Sequence, residues 1–177
     1  MTVRFIHFSK ADEVFFERIS QVRQLRFDVW KPIVGDQVAQ QRFYDDGFDD
    51  HSHHVALLEG DEMLATARLT VCEAPVQIPD AESYQFMLEA MSFPLAILSR
   101  MVVRKDKQGL GYSTELTRQR ISIACRFHLK EVWIESRRQR CKQLSEVLGF
   151  EERGLSQDVS VEGEWLLLRK PCHEQAR

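Results

Sequence analysis

Apolar and polar positions alternate from the start of the chain: "VRFIHF" (3–8) has the two-residue period of a strand. The next stretch changes period. In "ADEVFFERISQVRQLRFDVW" (11–30) the apolar positions 14, 15, 19, 22, 25 and 29 recur every three or four residues, which predicts an amphipathic helix. Lys31-Pro32 is expected to stop it, because a residue before proline is pushed out of the helical region. A polar stretch with "DDGFDD" (45–50) and "HSHH" (51–54) follows. "HVALLE" (54–59) and "MLATARLTV" (63–71), joined by "GDE", then read as a hairpin.

Residues 72–94 hold three prolines and no clear period, apart from a short helix candidate in "AESYQFMLEAM" (81–91). "LAILSRMVV" (95–103) is apolar enough for a buried strand. "STELTRQRISIACRFHL" (113–129) reads as a helix, "EVWIES" (131–136) as a strand, and "QRCKQLSEVL" (139–148) as a helix closed by Gly149. Two strand candidates, near 157–161 and 164–170, end the pattern. The order is strand, helix, hairpin, strand, helix, strand, helix, hairpin. Hairpins need antiparallel pairs and crossover helices need parallel ones, so the expectation is an α/β fold with a mixed sheet, one domain over 1–177.

Length and composition agree with that picture. A 177-residue chain that is 44% hydrophobic buries roughly 70% of its unfolded surface and needs no staples. Cys72, Cys125, Cys141 and Cys172 lack CxxC spacing, so they are expected as reduced thiols, with no disulfide framework and no metal site. "MTVRFIHFSKADE" has no signal-peptide core, and no run of about 20 apolar residues is present; a cytoplasmic protein without a membrane span is expected.

Charge adds an asymmetry that the net value of −3 conceals. From Arg100 to Lys130 there are eight Lys/Arg against Asp106 and Glu115, a balance of +6, while "DDGFDD" carries −4. A basic segment of this kind attracts polyanions through its local field. Nucleic acid is one such polyanion and a phosphorylated cofactor another; a solvated helix face accounts for part of it in either case.

"KDKQGLGYST" (105–114) links the buried strand to the long helix. Gly109 and Gly111 suit a tight turn. They also suit a phosphate cradle, because a helix N-terminus offers unpaired N–H groups and partial positive charge, and glycine lets a phosphate come close. Ser113 or Thr114 could cap the helix. The loop lacks the Gly-Lys-Ser/Thr of a P-loop and the third glycine of the dinucleotide fingerprint.

"VRKDKQGLGYSTEL" (103–116) resembles motif A of the GNAT acyltransferase superfamily, Arg/Gln-x-x-Gly-x-Gly/Ala after a strand valine. Val103 matches that valine, Gln108 the first position, Gly111 the central glycine, Ser113 the last position and Leu116 the buried apolar position of the helix. "LSEVLGFEERG" (144–154) is similar to the family's Leu-Gly-Phe element, in the expected order. "LRFDVW", "DDGFDDHSHH" and "TARLTV" resemble a branch of the same superfamily. The resemblance implies a GNAT-like fold and transfer of an acetyl group from acetyl-CoA to a primary amine on a small molecule or peptide. Nucleic-acid and membrane partners are not expected, and a homodimer is compatible with it. It implies that Gln108, Gly109, Leu110, Gly111, Tyr112, Ser113 and Thr114 hold the pyrophosphate. Met101, Val102 and Val103 would pair with the pantetheine arm, with one strand N–H polarising the thioester carbonyl, and Lys105, Lys107 and nearby arginines would assist with phosphate.

Acyl transfer to an amine needs a base for the amine and an acid for the leaving thiolate. Many GNAT enzymes use a tyrosine four residues before the glycine of Leu-Gly-Phe; here that position is Ser145. Asp46, Asp49, His53 and Arg100 are the catalytic candidates, with His54 beside them. Turn and capping chemistry is the structural alternative for the acidic segment. Arg68 and Arg100, in apolar strands, need carboxylate partners, either Asp46 and Asp49 or an acidic substrate. The acyl-homoserine-lactone synthases, which take acyl chains from acyl carrier protein, share the Asp46-x-x-Asp49, Arg68 and Arg100 pattern. They have Glu in place of Ile97 and no glycine loop. A non-catalytic acyl-CoA sensor is the remaining alternative, motivated by Ser145.

Overall fold

The structure, a computed structural model, describes residues 2–157 and 163–172. In chain order the elements are β1 (Val3–Ser9), α1 (Phe15–Val34), α2 (Asp36–Val38), a π-helical turn (Ala39–Tyr44), β2 (Ser52–Glu59), β3 (Glu62–Cys72), β4 (Leu95–Val103), α3 (Tyr112–Arg126), β5 (Glu131–Arg137), α4 (Arg138–Leu148), β6 (Glu151–Leu155) and β7 (Trp165–Pro171). Short 3-10 segments occupy Asp49–His51, Pro75–Gln77, Ala81–Ala90 and Lys105–Lys107. The strands form one seven-stranded mixed sheet in the order β1-β2-β3-β4-β5-β7-β6, flanked by the helices. β4 and β5 are parallel, joined through α3, and the β1–β2, β5–β7 and β6–β7 pairs are antiparallel. The α/β reading of the sequence holds.

The chain divides into two compact units, Met1–Leu69 with Arg100–Gln119, and Thr70–Ser99 with Arg120–Arg177. In the first unit the inner face of α1 supplies Phe15, Ile19, Val22 and Leu25, which pack with Phe8, Ala56, Leu58, Met63 and Val102. In the second, Cys72, Ile78, Tyr84, Met91, Leu95, Ile97, Trp133 and Leu167 form the core. Glu131 lies fully buried there. It accepts hydrogen bonds from the Ser92 N–H and the Trp133 Nε1, both at 2.7 Å, and from Arg169 Nε.

Three boundaries differ from the sequence reading. Lys31-Pro32 does not stop α1. Pro32 sits inside its last turn, where a missing N–H removes a single bond. The helix ends at Gly35, whose φ of 82° a side chain would resist and whose N–H bonds the Lys31 carbonyl at 3.0 Å. The segment after it is helical turn rather than open loop. The strand beside β7 is Glu151–Leu155, ahead of the candidate near 157–161, of which 158–161 lie outside the described residues.

Candidate functional site

Both groups of candidate residues belong to the first unit. The first is the connection from β4 to α3. Val102 and Val103 are buried at the end of β4 and Met101 is half-buried. The Arg104 N–H bonds the Leu64 carbonyl at 2.8 Å, Lys105–Lys107 makes one 3-10 turn, and Gln108 Nε2 reaches back to the Val103 carbonyl at 3.2 Å. Gly109 and Gly111 then both take φ of 81°, and a Cβ on either would meet nothing within 4 Å. The loop is therefore glycine-rich for its dihedral angles and for open space above its backbone.

α3 begins at Tyr112, so Ser113 and Thr114 lie within its first turn instead of capping it. The N–H groups of Thr114 and Glu115 turn back to the Gly111 carbonyl at 3.0 and 3.2 Å. Among the described residues, the five preceding N–H groups, from Gly109 through Leu110, Gly111 and Tyr112 to Ser113, have no intramolecular acceptor. They are the orphan donors of a 15-residue helix and of the loop that feeds it, an arrangement that suits an anion. Leu116 faces the core, fully buried.

The basic side chains around the loop are less available than the sequence suggests. Arg104 is held by Asp106, at 2.6 and 2.8 Å, and by Glu62. Lys107 leans toward Glu59 at 3.7 Å. Lys105 is exposed and makes no ion pair among the described residues.

The second group is an ion-pair centre. Arg68 presents Nη1 and Nη2 to the two oxygens of Asp46 at 2.6 and 2.7 Å, and Arg100 Nη2 approaches Asp46 Oδ2 at 2.8 Å. Asp49, fully buried, is gripped by Arg26 at 2.8 and 3.1 Å, with Arg68 and Arg23 each at 3.3 Å. Phe48 stacks under Arg68 and Phe43 under Arg100. Asp45 and Asp50 stay on the rim, against Arg23 and Lys10. Asx contacts from Asp45 Oδ1 to the Gly47 N–H and from Asp46 Oδ1 to the Phe48 N–H fold the segment, so turn chemistry and ion pairing coexist in it.

Electrostatics decides what these groups can do. Burial alone would raise the Asp46 and Asp49 carboxyls, yet the hydrogen bonds and charges of Arg68 and Arg100 on Asp46, and of Arg26 and Arg68 on Asp49, hold both below the ordinary carboxylate range. Carboxylates held as anions in this way are weak bases. His54 is fully buried; its Nε2–H donates to the Asp49 carbonyl at 3.1 Å, and burial, with the Arg26 charge beside it, pushes it down to about 4. His53 instead bonds His7 of β1, Nδ1 to Nε2, at 3.1 Å, and burial and that neighbour lower it too. It is neutral at pH 7 but sits on β2, two strands from β4 in the sheet order, about 10 Å at ordinary strand spacing. Arg100, within β4, takes a φ of 51°, directly before Met101, Val102 and Val103.

Arg26 and Arg23 were not among the sequence candidates. Arg26 is four residues after Val22 and seven after Ile19, on the buried face of α1. A charged residue at such a position signals a buried partner, which an inventory of apolar positions alone passes over.

No family model and no curated protein matches the chain. Solved structures do. A CoA-dependent acyl-homoserine lactone synthase, BjaI, with SAM and isopentyl-CoA, superposes with a TM-score of 0.76 at 16% identity, over 98% of this chain and 85% of that one. An acyl-CoA N-acyltransferase from Pseudomonas aeruginosa gives 0.67 at 17% identity, over 96% and 99%. An acetyltransferase of the GNAT family from Staphylococcus aureus Mu50 gives 0.60 at 10% identity, over 97% and 100%.

Proposed function

We propose that this chain, which has the fold of the GNAT acyl-CoA N-acyltransferases, transfers an acyl group from coenzyme A, with acetyl-CoA as donor, to a primary amine of a small molecule or peptide. The observation that carries the reading is the run of five N–H groups from Gly109 to Ser113 without an acceptor among the described residues, at the start of a 15-residue helix. In this reading those donors hold the pyrophosphate. Met101 to Val103 line the pantetheine arm as a strand edge, and a strand N–H polarises the thioester carbonyl as negative charge develops on it. With Arg104 held by Asp106 and Glu62, Lys105 is the cation left for the remaining phosphate.

The test is direct. Acetyl-CoA should raise the melting temperature of the wild type, and CoA release should be detected with a thiol reagent across a panel of amines, amino acids and polyamines. Gly111→Ala leaves open space around its Cβ but strains a φ of 81°, at a cost of about 1–2 kcal/mol. The variant should fold, melt somewhat lower and lose the acetyl-CoA shift. Equal shifts in both proteins would end the reading. A second reading rests on the Asp46–Arg68–Arg100 centre, whose residue pattern resembles that of acyl-homoserine-lactone synthases. It predicts a longer acyl-CoA as the better donor, and the same assay with acyl-CoA of increasing chain length, and with SAM as acceptor, separates the two.

A further inference from the structure

We propose that Cys125 and Cys172 are a redox-sensitive pair which oxidation joins as a disulfide, tying the last turn of α3 to the end of β7. Cys172 directly follows β7. Its N–H bonds the Lys130 carbonyl at 2.9 Å, which carries the β5–β7 register one residue past the Glu131–Pro171 pair. Facing it, the chain has just left α3. The His128 N–H bonds the Cys125 carbonyl at 3.0 Å and the Leu129 N–H bonds the Ala124 carbonyl at 3.2 Å, so a tight turn leads from Cys125 to Lys130, the residue that pairs with Cys172. The two thiols meet there, with Cys172 hydrogen-bonded to Cys125, and both are half-buried. Thiols already in contact need only side-chain rotation and a small approach to form a bond.

The other two cysteines provide the contrast. Cys72 and Cys141 are buried, and each points its thiol at backbone carbonyls, with the nearer ones at 3.4 Å (Gln77 and Arg137). Among the described residues neither thiol has a second thiol as its partner, so oxidation should spare both.

The chemistry assigns different roles to the two sulfurs. Burial first, and then the hydrogen bond to Cys125, push the Cys172 thiol up to about 12, so it holds its proton. Cys125 is then the sulfur that attacks the O–O bond of a peroxide. With hydrogen peroxide this leaves a sulfenic acid on Cys125 and one water. Cys172 next attacks the Cys125 sulfur, the S–O bond breaks, and the Cys172 proton departs with the hydroxyl as a second water. Two thiols lose two protons and two electrons, and the peroxide is reduced to two waters.

Thiol titration and intact mass on the full chain, before and after dilute hydrogen peroxide, test this. The wild type should fall from four titratable thiols to two, lose two hydrogens and gain no oxygen. Its non-reduced digest should yield a peptide containing Cys125 joined to one containing Cys172. C172S should stop at a Cys125 sulfenic acid that dimedone traps, and C125S should keep Cys172 as a thiol. Four thiols surviving peroxide would overturn the proposal. So would loss of thiols only to higher oxides, to bridges between chains, or to bridges with Cys72 or Cys141. The wild-type digest decides the matter even where a variant folds poorly.

Discussion

Arg68 and Asp46 meet fork to fork, Nη1 to Oδ1 at 2.6 Å and Nη2 to Oδ2 at 2.7 Å, with the arginine fully buried in β3. The same carboxylate also receives Arg100 at 2.8 Å, so one anion faces two guanidiniums in the apolar strands of the first unit. Removing it takes the closest carboxylate from both and leaves Arg68 its longer contact with Asp49 at 3.3 Å.

Asp46→Asn should therefore cost about 3–5 kcal/mol in urea or guanidinium unfolding, the scale of breaking a buried pair from one side. The variant should also show a shallower acid limb than the wild type. Asp46 titrates lower in the folded chain than its ordinary value of 3.8, so its stabilisation is complete above that value and drains away as pH falls below it. If the variant melts like the wild type but binds acceptor more weakly, the pair serves the substrate instead of the fold.

His54 gives a second pH window of the same sign. It titrates at about 4 when folded against 6.5 when free, so the unfolded chain binds the extra proton between those values. Stability should be full above pH 6.5 and fall by about 3 kcal/mol as pH drops to 4. His54→Leu, which also removes a buried Nδ1 lacking a partner among the described residues, should flatten that slope. A slope unchanged in the variant would assign it to another group.

Glu131→Gln should lower the urea midpoint in the second unit's core by about 3–5 kcal/mol of stability, because the carboxylate faces three donors and an amide would turn a fourth toward them. Trp133, which donates to Glu131 and is fully buried, supplies the fluorescence readout. An unaltered midpoint would show that the Ser92 and Arg169 contacts are dispensable.

Ser145→Ala should leave turnover within about threefold, since a serine hydroxyl is a poor proton donor to a leaving thiolate. Ser145 is half-buried on α4, where its carbonyl accepts from the Gly149 N–H at 3.0 Å. A loss of about 100-fold, the scale of general acid catalysis, would place Ser145 in the proton path.

The glycine loop and β4 were legible because each rests on local rules: two positive-φ positions that favour glycine, and an unbroken apolar run. The inward turn of Asp46 and Asp49 was legible from two facts together: four carboxylates in six residues must find cations or water, and arginines within apolar strands need carboxylates. The partners were less so. Arg68 and Arg100 stood out within apolar strands, whereas Arg26 was hidden in a helix whose polar residues are mostly exposed. Pro32 misled because its cost depends on position: one lost bond in a final turn does not end a helix that Gly35 closes. The commitment of Arg104 to Asp106 and Glu62 depends on a partner 42 residues away, beyond any local pattern.

The division of the chain has a temporal side. Each compact unit is assembled from two separate stretches, 1–69 with 100–119 and 70–99 with 120–177. A ribosome delivers these in strict order, and domains fold as their parts emerge. A nascent chain halted after residue 99 already carries Asp46 and Arg68, but not Arg100 and none of the loop amides. Asp46 must wait for its second arginine while the intervening 30 residues, which belong to the other unit, are made first. No single cleavage separates the units, and no fragment ending before α3 carries all five of the loop's amides from Gly109 to Ser113.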